Sequence, residues 1–266
     1  MAWAVTMRLP AVAGVIRRRL LLNFRVDPKV IARHLPAPFE PKLHKGFAVA
    51  GICLIRLEAI RPRGLPRGLG FSSENAAHRI AVKWQGRDGM QEGVFIPRRD
   101  SSSLINQIAG GRVFPGEHHA ARFTVAESGE SIALEMSATD GGAAVKVEAT
   151  VAGELPPSSV FSSVREASEF FEPGSLGYSA THSPGRLHGV ELRTKTWHVE
   201  PLAVQHVYSS YFADARLFPE ASVTFDHGLL MRNIEHEWHG TADLYVEGSG
   251  SSTDGPGSAE TGGTPS

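Results

Sequence analysis

From Gly46 to Val151 the chain reads as one strand-length run after another, and that succession constrains the fold more than any single motif. Gly46–Ile60 (GFAVAGICLIRLEAI) opens apolar and then alternates. Leu54, Arg56 and Glu58 face one way, and Ile55, Leu57 and Ala59 the other. His78–Trp84, Gly93–Ile96, Ala120–Ala126, Ser131–Ala138 and Ala143–Val151 follow, most of them separated by Gly- or charge-containing turns. Arg186–Val199 and Val223–His239 continue the pattern. Helical signals are few. Asp27 caps a short helix, Pro28 suits its first turn, Val30, Ile31 and Leu35 supply helical spacing, and Pro36 and Pro38 end it. Further helices are predicted over Ser102–Ile108, capped by Asp100 or Ser101, over Ser163–Phe171, and over Ser209–Leu217. RPRGLPRGLG reads as a loop. Many strands and short connections predict a mainly β (α+β) domain. A sheet this large protects its edges by closing or doubling over, so an antiparallel β-barrel with a few peripheral helices is expected.

Composition narrows the function. Hydrophobic residues make up 41% and charged residues 21%, enough for a packed core. The 27 basic and 28 acidic side chains give a net charge of −1, which argues against nucleic acid as the partner. No apolar run reaches membrane-spanning length. Arg17, Arg18 and Arg19 follow an N-terminal apolar stretch instead of preceding it, the wrong order for a targeting peptide. The single cysteine, Cys53, fits a reducing compartment, so the cytoplasm is expected, and it reads as a small buried hydrophobe. The expected organisation is an N-terminal extension over 1–20, one domain over 21–246, and a disordered Gly/Ser-rich tail over 247–266.

Polar clusters interrupt the strand pattern. Gly110–Phe123 (GGRVFPGEHHAARF) places Arg112, His118 and His119 around a Pro-Gly turn. Adjacent histidines on a strand point to opposite faces, so at most one of the pair faces any given cavity. The segment ENAAHR carries Glu74, Asn75 and Arg79. By the period of two, Asn75 shares a face with Arg79 while Glu74 takes the other. Arg98 and Arg99 precede a predicted helix start, where Asp100 supplies a capping carboxylate. Lys83 is the lysine nearest these clusters and reads as a solvated strand end. The 12 histidines form no zinc-type pattern, and His236 and His239 fall on opposite faces of a strand. No metal and no cofactor is expected, and no glycine-rich phosphate loop is present.

Four segments taken together resemble an uncharacterised bacterial family, domain of unknown function 2071: SENAAHRIAV, EGVFIPRRDSSSLIN, GGRVFPGEHHAARF and SEFFEPGSLGYSAT. The similarity runs from about Leu21 to Trp238. That family resembles acetoacetate decarboxylase in fold, which implies a single-domain β-barrel around a closed cavity. In acetoacetate decarboxylase a Schiff-base lysine follows a Gly-Arg and a glycine-proline turn. Here Gly111-Arg112 matches the Gly-Arg and Pro115-Gly116-Glu117 approximates the turn, while the lysine position falls near His118 or His119. Histidine forms no stable imine, so Schiff-base chemistry is disfavoured unless another lysine enters the cavity.

The resemblance implies a small-molecule ligand, a carboxylate. Arg112 and Arg79 would orient it, with Asn75 and His118 beside them. His119, the nearer match to the lysine position, and Glu74 would supply proton transfer in a lyase, hydratase or isomerase. A non-catalytic binding or sensing module and an acetoacetate-decarboxylase-like decarboxylase stay open as alternatives. A homo-oligomer is compatible with this reading.

Overall fold

A computed structural model describes residues 11–86, 89–103, 116–181, 183 and 185–246. Within them the chain is mainly β. Strands β1 (Val12–Val26), β2 (Glu40–Pro41), β3 (Leu43–His44), β4 (Phe47–Pro62), β5 (Phe71–Gly86), β6 (Gly89–Ser101) and β7 (His118–Ser128) come first. They are followed by β8 (Ser131–Ala138), β9 (Ala144–Val151), β10 (Leu176–Ala180), β11 (Arg186–Thr194), β12 (Glu200–Ser209), β13 (Val223–Gly240) and β14 (Leu244–Tyr245). Helix α1 (Pro28–Ile31) is capped by Asp27, whose side chain accepts from the Lys29 amide, and α2 (Val164–Phe171) is capped by Ser163.

One 14-stranded sheet holds the order β14-β11-β10-β6-β7-β8-β9-β12-β13-β1-β4-β5-β2, with β3 on β4 and further pairings of β11 with β13 and of β6 with β5. Most neighbours run antiparallel. The expectation of a purely antiparallel sheet is corrected at β6, which pairs in parallel with both β7 and β10. No helix among the described residues is long and apolar enough to cross a membrane.

Three other expectations change. Val12–Leu20 is the first part of β1 and pairs with β13 and β4, so the sheet begins inside the stretch expected to be an extension. Ser209–Leu217 forms turns after β12 in place of a helix. The strand expected over His78–Trp84 begins earlier, at Phe71, so ENAAHR lies inside β5 and the period of two applied to it holds. The expected helix over Ser102–Ile108 and the tail over 247–266 lie outside the described residues.

The central strands are buried on both faces, which is why β4 opens with a nearly unbroken apolar run. Leu20 and Leu22 of β1, Ile52 and Leu54 of β4, and Ile80 of β5 enter one core cluster. Leu21, Val49, Cys53 and Ile55 enter a second, together with Phe161, Phe170 and Phe171 from α2 and the loop before it. The polar site opens on the face of this second cluster.

Candidate functional site

Register determines which polar side chains meet. Arg19 on β1 stands opposite Ile55 on β4, and Ile55 opposite Asn75 on β5. One row along, Leu21, Cys53 and Ala77 are paired across the same strands, and Ala77 faces Arg99 on β6. Arg99 in turn pairs with His118 on β7. One row further, Asn23 stands opposite Gly51 and Gly51 opposite Arg79. Residues two apart share a face, so Arg19, Cys53, Asn75, Arg79, Arg99 and His118 line one cavity of about 110 Å³. Ile55, Leu57, Val94, Ile96, Leu192 and Trp238 make the rest of its wall mostly apolar. A second lobe of about 80 Å³ shares Arg19 and Arg79 and continues to Lys42, Phe170 and Phe171.

Arg79 is the central polar group. It is 4% exposed. Nη2 donates to Oδ1 of Asn23, the guanidinium lies 4.9 Å from the Phe171 ring centroid, and Nε has no partner among the described residues. Burial lowers its pKa to about 10, so it stays cationic at neutral pH. Behind it runs a buried hydrogen-bonded chain. The Asn23 side-chain amide donates to His227 Nε2 (3.0 Å), leaving Nδ1–H of His227 to donate to Asp226 Oδ2 (2.6 Å). Asp226 also accepts from Ser159 Oγ (2.6 Å) and the Val160 amide (2.9 Å). Burial alone would raise the Asp226 pKa, but these hydrogen bonds bring it below its ordinary range. Burial lowers that of His227 against the pull of Asp226, so the imidazole is neutral.

Arg99 donates from Nε to Ser179 Oγ (3.0 Å), and burial lowers its pKa to about 10. Arg19 reaches Cys53 Sγ from Nε at 3.1 Å. Among the described residues, no carboxylate lies within ion-pair distance of Arg19, Arg79 or Arg99. Asp100 borders the cavity, but its carboxylate accepts from Arg98 (2.8 Å). Burial, then Arg99, hold the pKa of His118 down at about 3.

The six residues expected at the site divide. Asn75, Arg79 and His118 line the cavity. Glu74 does not. Its neighbours across the strands are Arg56 and, beyond it, Arg18, both on the opposite face. Arg18 Nη2 donates to it at 2.6 Å and Arg56 lies 3.5 Å away. Burial raises the Glu74 pKa, and the two arginines pull it back. His119 is likewise outside the cavity lining. It stands beside Asp100 in the parallel register, and its Nδ1 lies 2.9 Å from Asp140. The expected proton-transfer pair of His119 and Glu74 is therefore not assembled. Arg112 lies outside the described residues. Lys83 is at the strand end, 3.6 Å from Glu40.

Sequence reasoning missed Arg19 and Lys42 and placed Arg99 ahead of a helix start capped by Asp100; Cys53 is buried in the core as expected and also lines the cavity. For Arg19 a signal existed: three arginines inside an otherwise apolar strand must split between two faces. Among the described residues no group of histidine, cysteine and carboxylate side chains is arranged to hold a metal.

The fold is similar to solved acetoacetate decarboxylases and related enzymes. Against acetoacetate decarboxylase from Legionella pneumophila the TM-score is 0.56 at 13% identity, covering 91% of this chain and 92% of that one. An acetoacetate decarboxylase-like enzyme from Sphingomonas wittichii RW1 gives 0.54 at 13% identity, covering 90% and 93%. The enduracididine biosynthesis enzyme MppR, solved with the condensation product of pyruvate and imidazole 4-carboxaldehyde, gives 0.56 at 13% identity, covering 92% of each chain. Identities this low establish a shared fold and nothing finer. No functionally curated protein matches the sequence. Residues 15–228 match DUF2071, described as an uncharacterized conserved protein (COG2071), and the chain belongs to that family.

Proposed function

We propose that this protein binds a small organic acid in the cavity between β1, β4, β5, β6 and β7. The carrying observation is Arg79, a buried guanidinium whose Nε has no partner and which has no carboxylate within ion-pair distance among the described residues, opening on a mostly apolar cavity whose bordering Asp100 is engaged by Arg98. A buried cation without a counter-ion is costly, and a ligand carboxylate would supply both the charge and the missing acceptor. Residues 12–246 are read as one domain. The strand pairings also support a sheet wrapped into a barrel, because β5 pairs with β6 and the path through β7, β8, β9, β12 and β13 returns to β1 and β4.

Binding is favoured over proton transfer. His118, the histidine in the lining, has a pKa near 3 and is a weak base at neutral pH, while His119 and Glu74 lie elsewhere. Imine chemistry has one observation for it, the entry of Lys42 into the second lobe. Its ammonium is engaged by Glu92 (2.6 Å), the Phe170 carbonyl (3.1 Å) and the Phe170 ring (4.3 Å). Borohydride reduction in the presence of a 2-keto acid decides between them: a covalent adduct mapped to Lys42 would establish imine formation.

The binding reading is tested by thermal shift and calorimetry with keto, hydroxy and unsaturated carboxylic acids, on wild type and Arg79→Gln. Stabilisation of the wild type alone is expected. Equal shifts in both proteins, or no shift with any acid, would remove Arg79 as the anchor.

A further inference from the structure

We infer that the cavity is built for a dianion, a small dicarboxylate with an apolar middle, held between Arg19 on one wall and Arg99 on the other. This rests on the organic-acid reading above and names its substrate class.

The argument is one of charge and placement. Three guanidiniums border the same cavity: Arg19 from β1, Arg79 from β5 and Arg99 from β6. Arg19 Nε is 3.1 Å from the sulfur of Cys53, which lines the same cavity as Arg79 and Arg99. Arg79 is oriented from behind by Asn23, which His227 and Asp226 hold in turn, but Asp226 pairs with Arg25 (3.6 Å). Among the described residues Arg19 and Arg99 have no carboxylate within ion-pair distance either. Their hydrogen bonds go to neutral partners, Cys53 and Met231 for Arg19 and Ser179 for Arg99. A single carboxylate would leave one of the two uncompensated in a mostly apolar enclosure, which is the expensive arrangement.

Geometry separates the two anchors. Strands β4 and β5 lie between β1 and β6, so the backbones of Arg19 and Arg99 are three strand spacings apart across the sheet, about 14 Å, and two residues apart in register. Their side chains are held by different partners, Arg19 by Cys53 and Arg99 by Ser179, a placement that suits two carboxylates joined by a short carbon chain better than one carboxylate. Between them stand Cys53 and Ile55 of β4 and Asn75 and Ala77 of β5; Ile55 and Ala77 suit methylene groups.

Calorimetry on the full chain tests this with succinate, glutarate and adipate against butyrate, valerate and hexanoate. The best dicarboxylate is expected to bind at least about tenfold tighter than its matched monoacid, the ratio that one further satisfied charge pair of ~1.4 kcal/mol gives. Arg19→Gln and Arg99→Gln should each reduce that ratio to within about threefold, while wild-type melting without ligand confirms that the variants fold. Equal affinities for di- and monoacids in the wild type would overturn the dianion and leave the organic-acid reading standing. A tenfold ratio that survives both substitutions would overturn the two anchors. Binding of no acid at all would overturn both readings together.

Discussion

Nε of Arg19 lies 3.1 Å from Sγ of Cys53, which sets the one thiol of the chain under a guanidinium inside the cavity. Because no second cysteine exists, that thiol is a clean reporter of the field around it. A positive field concentrates anions, and each ~1.4 kcal/mol of attraction is worth about a factor of ten. Iodoacetate should therefore gain about tenfold over neutral iodoacetamide in alkylating Cys53, relative to the same pair of reagents on free cysteine. Intact-mass kinetics at low salt give both rates. A saturating organic acid should slow both reagents by occupying the same space. An unshifted preference would mean that the three guanidiniums exert no net positive field at the thiol.

Arg99 carries a cost if its purpose is a ligand. Its Nε donates to Ser179, and no carboxylate among the described residues balances its charge. An uncompensated charge in an enclosed site carries a desolvation cost that an apolar side chain of similar length does not. Arg99→Met should thus melt at or above the wild-type temperature without ligand, and lose the stabilisation that acids confer. Differential scanning calorimetry in both conditions separates the two effects. A variant that melts several degrees lower without ligand would identify Arg99 as a structural ion.

Behind Arg79, the Asp226 carboxylate holds three hydrogen bonds, from His227, Ser159 and the Val160 amide. Asp226→Ala would leave the buried His227 Nδ1–H and the Val160 amide without their acceptor. A buried donor left unmet costs about 1–3 kcal/mol, so a loss of ~2–5 kcal/mol in urea unfolding is expected. Acid binding should weaken as well, since Asn23 then loses the fixed imidazole that orients it toward Arg79. Full affinity at reduced stability would show that this chain supports the fold and leaves Arg79 in place without help.

How far the sequence could be read depended on which forces act locally. The strands Ser131–Ala138 and Ala144–Val151 were legible because alternation and turn residues encode them within their own span. Asp27 announced its helix for the same reason. Asn75 and Arg79 were placed on one face by period alone, and they share the cavity wall. The choice between His118 and His119 was not local. It depends on the parallel pairing of β7 with β6, which puts His118 beside Arg99 and His119 beside Asp100. Glu74 was misread for a related reason: its partners Arg18 and Arg56 come from β1 and β4, far away in sequence. Ser209–Leu217 shows propensity overridden, since the chain turns there to leave β12.

Acid should destabilise the fold through histidines buried in neutral form, and His78 is the sharpest case. It lies on the face of β5 opposite Arg79, fully buried, with its ring 4.9 Å from Tyr211 and its Nδ1 without a partner among the described residues. Burial, then the nearby Arg98, lower its pKa to about 3. In the unfolded chain a histidine titrates near 6.5. Between those values the unfolded chain carries a proton that the folded one refuses, so falling pH favours unfolding. His78 therefore contributes stability in full above pH ~6.5 and loses it progressively toward pH ~3, at a limiting slope of ~1.4 kcal/mol per unit. His118 and His236, lowered by burial to about 3 and about 4, act in the same sense. His78→Phe should shallow the slope of unfolding free energy against pH by ~1.4 kcal/mol per unit near pH 5, measured by urea unfolding from pH 7 to 4.5. The difference between the two proteins cancels the carboxylates and the other histidines, which both share. Identical slopes would mean that His78 takes up its proton in the folded state, and that the enclosure around it admits a charge.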